Sequence, residues 1–438
     1  MSDATDPPPI DWHAGRMAER RKQFLSPSLA TFTAYDRVQP WRRGQGAWLY
    51  DLDDKPHFDA MAQNVCISVG YRHAGVDAAV RAQLDEIQHV TTVYDHPQAA
   101  HFAEELVARL PAGHDWVVHF VNSGAEAIDL AVLVARCHTR RFEVLTLRDA
   151  YHGMHFTAGA ATGIGGARQP VPPAPGFTSV MAPHPYRGTF GAEAAPYLRE
   201  LERAIGSGTS GALAAMIVEP IQGYGGIVEM PPGYLAGAAE RVRATGGLLV
   251  VDEVQTGFGR TGAHLWGFEA HGVVPDVIVM SKGIGNGFPI AAMVTRREVA
   301  QSMATRMFFN TYGANPVSCA AGRAVLRALD AEGLMANARS AGNAFAAAMA
   351  PVLAKHAAVG DVRGRGLLRG VELVTDATTR APADGLAGKV QQRLLEAGFV
   401  VGICGAGHNV IKVNPPLCAT ADEMQRLAAA VDHAVALG

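Results

Sequence analysis

Between about residue 116 and residue 300 the chain alternates short apolar runs with amphipathic stretches. V-V-H-F-V, F-E-V-L-T-L, A-A-M-I-V-E, L-L-V-V-D, V-I-V-M-S and A-A-M-V-T have strand length rather than helix length. Runs that are apolar at consecutive positions predict strands buried on both faces, and hence a mainly parallel central sheet with helices on both faces. Upstream, helices are predicted at about 75–87 and 97–110. G-A-W-L-Y-D-L-D-D-K-P-H-F-D predicts a hairpin, with D-D-K-P as turn chemistry between two aromatic-bearing strands. Residues up to about Asp36 are Pro-rich and then basic in A-G-R-M-A-E-R-R-K-Q-F, which predicts an arm followed by a short helix. From about Ala320 an Ala-rich helix leads into G-L-L-R-G-V-E-L-V, a helix, V-V-G-I-C-G, N-V-I-K-V-N-P and a last helix. That mixture, without strict alternation, predicts a smaller α+β C-terminal domain. The expected division is 1–60 for the arm and hairpin, 61–319 for a large domain and 320–438 for the small one. P-V-P-P-A-P-G around 170–176 is expected to be a surface loop or linker.

Composition narrows the class. A chain of 438 residues exceeds one core of usual size, and 48% hydrophobic with 18% charged residues describes a globular enzyme. A net charge of -3 gives no footprint for nucleic acid or an anionic membrane. Cys66, Cys137, Cys319, Cys404 and Cys418 are odd in number and form no C-x-x-C pair, which fits neither a disulfide framework nor a zinc site. The start M-S-D-A-T-D-P-P-P-I has no apolar core of signal-peptide length, and no run of some twenty apolar residues follows. A cytoplasmic protein acting on small molecules is expected.

Two of the apolar runs end in ionisable residues. V-I-V-M-S-K-G-I-G-N-G-F-P breaks into glycines after Lys282, and L-L-V-V-D-E-V-Q-T-G-F-G-R-T-G closes a run with Asp252. Neighbouring strands that each deliver one such residue at their carboxyl ends build a site at the rim of an open α/β sheet. A lysine that sheds its proton can hold an aldehyde cofactor as a Schiff base. A carboxylate facing a pyridine nitrogen keeps that nitrogen protonated, and the protonated ring accepts electrons. At about 3 Å and an effective dielectric near 20 that attraction is on the order of 5 kcal/mol before desolvation. The pair suggests pyridoxal phosphate; taken singly, the lysine also reads as a solvated loop residue and the aspartate as a helix cap. G-I-G-N-G lacks the G-x-G-x-x-G spacing of a dinucleotide site, and no G-x-x-x-x-G-K-[ST] occurs.

D-E-V-Q-T-G-F-G-R-T-G and S-K-G-I-G-N-G-F-P resemble the signature of class III aminotransferases, and the likeness runs from about Ala47 to the C-terminus. It implies the pyridoxal-phosphate-dependent transferase fold type I. Within F-V-N-S-G-A-E-A-I-D-L-A, Ser123, Gly124 and Ala125 lie between a strand and a helix, where freed N–H groups form a phosphate cup. The family usually has Gly-Ser or Gly-Thr there, so Ala125 drops one hydroxyl donor. Tyr151 and His152 in D-A-Y-H-G-M-H resemble an aromatic-His-Gly triplet whose ring lies on the cofactor. His152 is otherwise a brace for its loop, and His155 has no assigned role. Gln255 matches a residue near the cofactor's phenolic oxygen. Thr311 in F-F-N-T-Y-G-A-N-P-V-S-C matches a threonine reaching the phosphate of the neighbouring subunit, which implies a homodimer with shared sites; alone it reads as a turn.

Two departures bear on substrate. N-V-I-K-V-N-P-P-L offers Lys412 where many members carry an arginine that grips a carboxylate, and the exchange loses a planar two-pronged contact. E-P-I-Q-G-Y-G-G has Tyr224 where aminobutyrate-type members place the glutamate that pairs with that arginine. P-Y-R-G-T-F-G, H-L-W-G-F-E-A-H-G-V-V-P-D and G-D-V-R-G-R-G-L are most similar to the alanine:glyoxylate aminotransferase branch. The Lys412 segment looks more like the phospholyases of the family. The expected activity is therefore a ping-pong transfer from an alanine-like or ω-amino donor to a 2-oxo acid such as glyoxylate, pyruvate or 2-oxoglutarate. Lys282 and Asp252 are expected to be catalytic, and Lys412 and Tyr224 to touch substrate. The alternatives are a phospholyase, an aminomutase or a silent pyridoxal-phosphate-binding protein. Entrance residues around Val65, Tyr224 and Cys404 are not decoded by motif.

Overall fold

The computed structural model describes residues 10–31 and 33–438, so the Pro-rich start of the arm, residues 1–9, lies outside the described residues. The basic stretch that follows forms helix Ala14–Phe24. Seven strands make the central sheet, in the order Trp116–Val121, Ala291–Arg296, Val277–Met280, Leu248–Asp252, Leu213–Val218, Glu143–Leu147, Phe177–Val180. Ala291–Arg296 runs antiparallel to both its neighbours, and the other pairings are parallel. The edge strand Phe177–Val180 has no counterpart among the predicted runs. It is short, its first three residues are half-buried, and F-T-S-V carries too little apolar character to stand out from the Pro-rich loop before it.

Period-two geometry divides the apolar residues between two cores. Leu249, Val251, Ile278 and Met280 join the main core, whereas Val250, Val277 and Val279 face helix Gly124–Thr139 through Ile128, Ala131 and Ala135. Burying each such side chain contributes about 1.5–3 kcal/mol. Register then sets the site, because Asp252 pairs with Val279 one strand over, three residues before Lys282.

The hairpin Trp48–Tyr50 and Pro56–Asp59 forms as expected and gains a distant partner, since Phe399–Val400 runs parallel to Pro56–Asp59. Near the C-terminus, Val359–Arg365, Leu368–Asp376, Val410–Val413 and Gly402–Cys404 form an antiparallel sheet. Helix Leu334–Lys355 approaches it so closely that a Cβ at Gly342 would lie 1.9 Å from the Gly366 carbonyl oxygen.

After the hairpin the backbone makes a left-handed turn: Ala62, Gln63, Asn64 and Val65 have φ of 48°, 48°, 62° and 71°. Left-handed backbone costs roughly 1–2 kcal/mol per non-glycine residue. Neighbouring bonds hold the turn. The Met61 N–H donates to Asp59 Oδ1 at 3.0 Å, the Tyr71 hydroxyl donates to Asp59 Oδ2 at 2.6 Å, and Asn414 Nδ2 donates to the Met61 carbonyl at 3.1 Å.

Candidate active site

Lys282 follows the Val277–Met280 strand at φ 51°, strained backbone of the kind that accumulates at functional sites. Its side chain lines a cavity of about 290 Å³ with Ser123, Gly124, Ala125, Tyr151, His152, Glu219, Asp252 and Gln255. Desolvation pulls the amine below its ordinary range, against the opposing pull of Cys66, Asp252 and Glu219. A larger groove of about 730 Å³ shares Met154 and His155 with this cavity but reaches neither Lys282 nor Asp252.

Asp252 is doubly held. Its Oδ1 accepts from the Val254 N–H at 3.0 Å, and its Oδ2 lies 2.8 Å from His152 Nδ1. Complete burial pushes His152 towards neutrality, and the hydrogen bond and charge of Asp252 more than reverse that push, so the imidazole is held above its ordinary range. His152 thus stands against the carboxylate itself, a stronger position than a loop brace, and its Nε2 is buried without a partner.

The geometry of the loop expected to form a phosphate cup follows from helix capping. Ser123 Oγ accepts from the Glu126 N–H at 3.2 Å, while Glu126 Oε2 accepts from the N–H groups of Asn122 at 2.6 Å and Ser123 at 3.2 Å. The N–H groups of Gly124 and Ala125, in the first turn, have no acceptor within the helix. Gly153 closes against this loop, since a Cβ there would lie 2.7 Å from that of Ala125.

Glu219, absent from the motif reading, directly follows the strand beside that of Asp252 and binds two loops at once. Its Oε1 accepts from the Tyr151 N–H at 3.1 Å and its Oε2 from the Gly223 N–H at 2.8 Å. Burial raises its proton affinity, opposed by the His152 charge. An acid closing an apolar run, as in A-A-M-I-V-E, is the signal that singled out Asp252 and would have found Glu219 too. Tyr224 packs edge-on to Tyr151 with centroids 5.3 Å apart.

Gln255 and Lys412 meet directly. Lys412 Nζ donates to Gln255 Oε1 at 2.7 Å and to Asn64 Oδ1 at 3.0 Å, and the lysine is only 2% exposed. Thr311 lies outside the cavity and is exposed. Its segment is tied to the cup loop through Asn310 Oδ1, which accepts from Asn122 Nδ2 at 2.9 Å. His155 faces Asp129 at 3.6 Å.

The sequence pattern of the family Aminotransferase class-III matches residues 34–435. An Arabidopsis thaliana protein, alanine-glyoxylate aminotransferase 2 homolog 2, mitochondrial, is 40% identical over 98% of this chain and 89% of its own length. Among solved structures, a PLP-bound amine transaminase from an uncultivated Pseudomonas species is 30% identical with a TM-score of 0.87, over 95% of this chain and 99% of its own. A phospholyase from Arthrobacter, in complex with phosphoethanolamine, is 31% identical with a TM-score of 0.89, over 96% and 99%. With that match over nearly the whole chain and these relatives, the chain belongs to the class III aminotransferases, enzymes that depend on pyridoxal phosphate.

Proposed function

We propose that this enzyme moves an amino group from an alanine-like or ω-amino donor to a 2-oxo acid such as glyoxylate, pyruvate or 2-oxoglutarate, by a ping-pong cycle. One observation carries the reading: a desolvated lysine, a buried aspartate and an open helix N-terminus line the same cavity. These groups suit the three parts of pyridoxal phosphate, namely its aldehyde carbon, ring nitrogen and phosphate. When bound, the cofactor supplies an electron sink for the carbon that bears the amine.

Lys282 Nζ would anchor the aldehyde carbon and, once the donor amine displaces it, carry the proton away from the donor carbon as a general base. Asp252 would hold a proton on the ring nitrogen, with His152 aiming the carboxylate. Ser123, Gly124 and Ala125 would hold the phosphate. Tyr151 would cover one ring face and exclude water. Gln255, which lines the same cavity, would reach the cofactor's phenolic oxygen, and Tyr224, packed edge-on to Tyr151, would border the space left for substrate. Glyoxylate as acceptor is supported by the name of the Arabidopsis relative.

A homodimer with shared sites is part of this proposal. Its support is the position of Thr311, exposed beside exposed Met307, Phe309 and Tyr312 and away from its own chain's cavity. A cytoplasmic setting is supported by five free cysteines, although the name of the Arabidopsis relative is mitochondrial. No helix among the described residues is long and apolar enough to cross a membrane.

The test is incubation of the holoenzyme with single amines and no oxo acid. One equivalent of keto or aldehyde product per site, followed by a stop that glyoxylate relieves, is the expected result. Continuous phosphate release from phosphoethanolamine without any acceptor would replace the transaminase by a phospholyase.

A further inference from the structure

Lys412 comes from strand Val410–Val413, Gln255 from the loop after Asp252, and Asn64 from the left-handed turn. Three distant segments therefore meet on one ammonium. Among the described residues Lys412 makes no ion pair; its two acceptors are uncharged amide oxygens. Because an ammonium only donates, the Gln255 oxygen is pinned to Lys412, and the NH₂ end of that amide is the part left for the cavity Gln255 lines. Gly223 closes the other side, where a Cβ would sit 2.3 Å from Gln255 Nε2.

We propose that Lys412 is a positioning residue: it fixes the Gln255 amide so that a hydrogen-bond donor faces the cofactor, and it does not itself grip the substrate's acid group. The inference rests on the reading that this cavity holds pyridoxal phosphate. Arginine, the residue of many relatives at this place, is longer and forked, so the lysine is a different device and not a weaker copy.

Around the ammonium stand Lys282, Cys404, Glu219, Arg260 and Cys66. Burial first, and then the like charge of Lys282, bring Lys412 down to about 8. Below that pH the ammonium dictates the Gln255 orientation. Above it, the neutral amine can also accept, and the amide is free to turn.

The holoenzyme without substrate is titrated from about pH 6.5 to about pH 9.5 while the absorbance of the bound cofactor is followed. Wild type is expected to show a step within this range that depends on Lys412. Lys412→Met is expected to lack the step and to bind pyridoxal phosphate about tenfold more weakly. Lys412→Arg is expected to restore affinity to within roughly threefold. In turnover, Lys412→Met should lower kcat for donors with and without an acid group alike. An unchanged titration and affinity, with a KM rise confined to acid-bearing donors, would mean a direct grip and overturn the proposal. If Lys412→Met does not fold, Gln255→Ala takes its place: loss of the step supports the proposal and its persistence overturns it. Lys282→Ala is run beside them, because retention of the covalent cofactor band in that variant would sink the cofactor reading itself and leave the Lys412 question apart.

Discussion

The rim of the central sheet and the outer wall of the cavity place charged residues by opposite means. At the rim, Asp252 ends one strand, Glu219 directly follows its parallel neighbour and Lys282 follows the strand on the other side, so that sheet register does the positioning. At the wall, Asn64 and Lys412 are 348 residues apart, and a strained turn and one ammonium hold them together. The rim has a redundant support, every strand residue before Asp252 being packed into one core or the other. The wall depends on a few polar contacts. Damage at the rim should therefore remove chemistry and spare the fold, whereas damage at the wall should tune affinity, pH response and stability.

The largest effect is expected at Lys282. Lys282→Ala should lower kcat by roughly 10⁴-fold or more with little change in melting temperature, because both roles proposed for it, anchoring and proton transfer, go with it. Steady-state turnover within tenfold of wild type would show that another amine does this work.

Asp252→Asn keeps the shape of the side chain and removes its charge. A fall in kcat of about 100-fold to about 1000-fold is expected. His152 should also lose proton affinity, read as a downward move of its NMR titration. If His152 titrates unchanged, the carboxylate is not what sustains its charge.

At the wall, the expected effect is on stability. The folded-state value of Lys412, about 8, lies below its ordinary 10.5. Between those values the unfolded chain binds more protons than the folded one, so stability rises with pH across the window. The cost of burying the charge is fully present below about 8 and vanishes above the unfolded value, on the order of 3 kcal/mol in all. Wild type should gain on Lys412→Met over this range in denaturant melts, and parallel curves would mean that the lysine does not titrate there.

The smallest effect tests the turn. Ala62→Gly should stabilise by about 1 kcal/mol, since glycine takes positive φ without a Cβ penalty, although the same change inside a regular helix costs a similar amount. A loss of stability would show that the turn is not strained at Ala62.

Pattern alone was enough for most of the rim. L-L-V-V-D and V-I-V-M-S are strands because consecutive apolar residues satisfy two buried faces at once, and their closing residues were legible as Asp252 and Lys282. Helix Gly124–Thr139 was legible from the strand-to-helix break at Ser123. Local composition was too weak for the edge strand Phe177–Val180, which takes its ladder from Glu143–Leu147. Glu219 closes an apolar run as Asp252 does and was legible to that extent; its part in holding two loops together was not, because it rests on the N–H groups of Tyr151 and Gly223.

The sequence by itself determined the alternation of strands and helices, the two strand-end residues and, through family likeness, the cofactor, because these depend on side-chain period and on motifs contiguous in the chain. Only the tertiary structure decided that His152 faces Asp252, that Ala62–Val65 turns left-handed without a glycine, and that Lys412 points to Gln255. The first and last of these rest on contacts 100 and 157 residues apart, and the turn is tied to Asn414 as well as to Asp59; such contacts override local preference and leave no periodic trace in the chain.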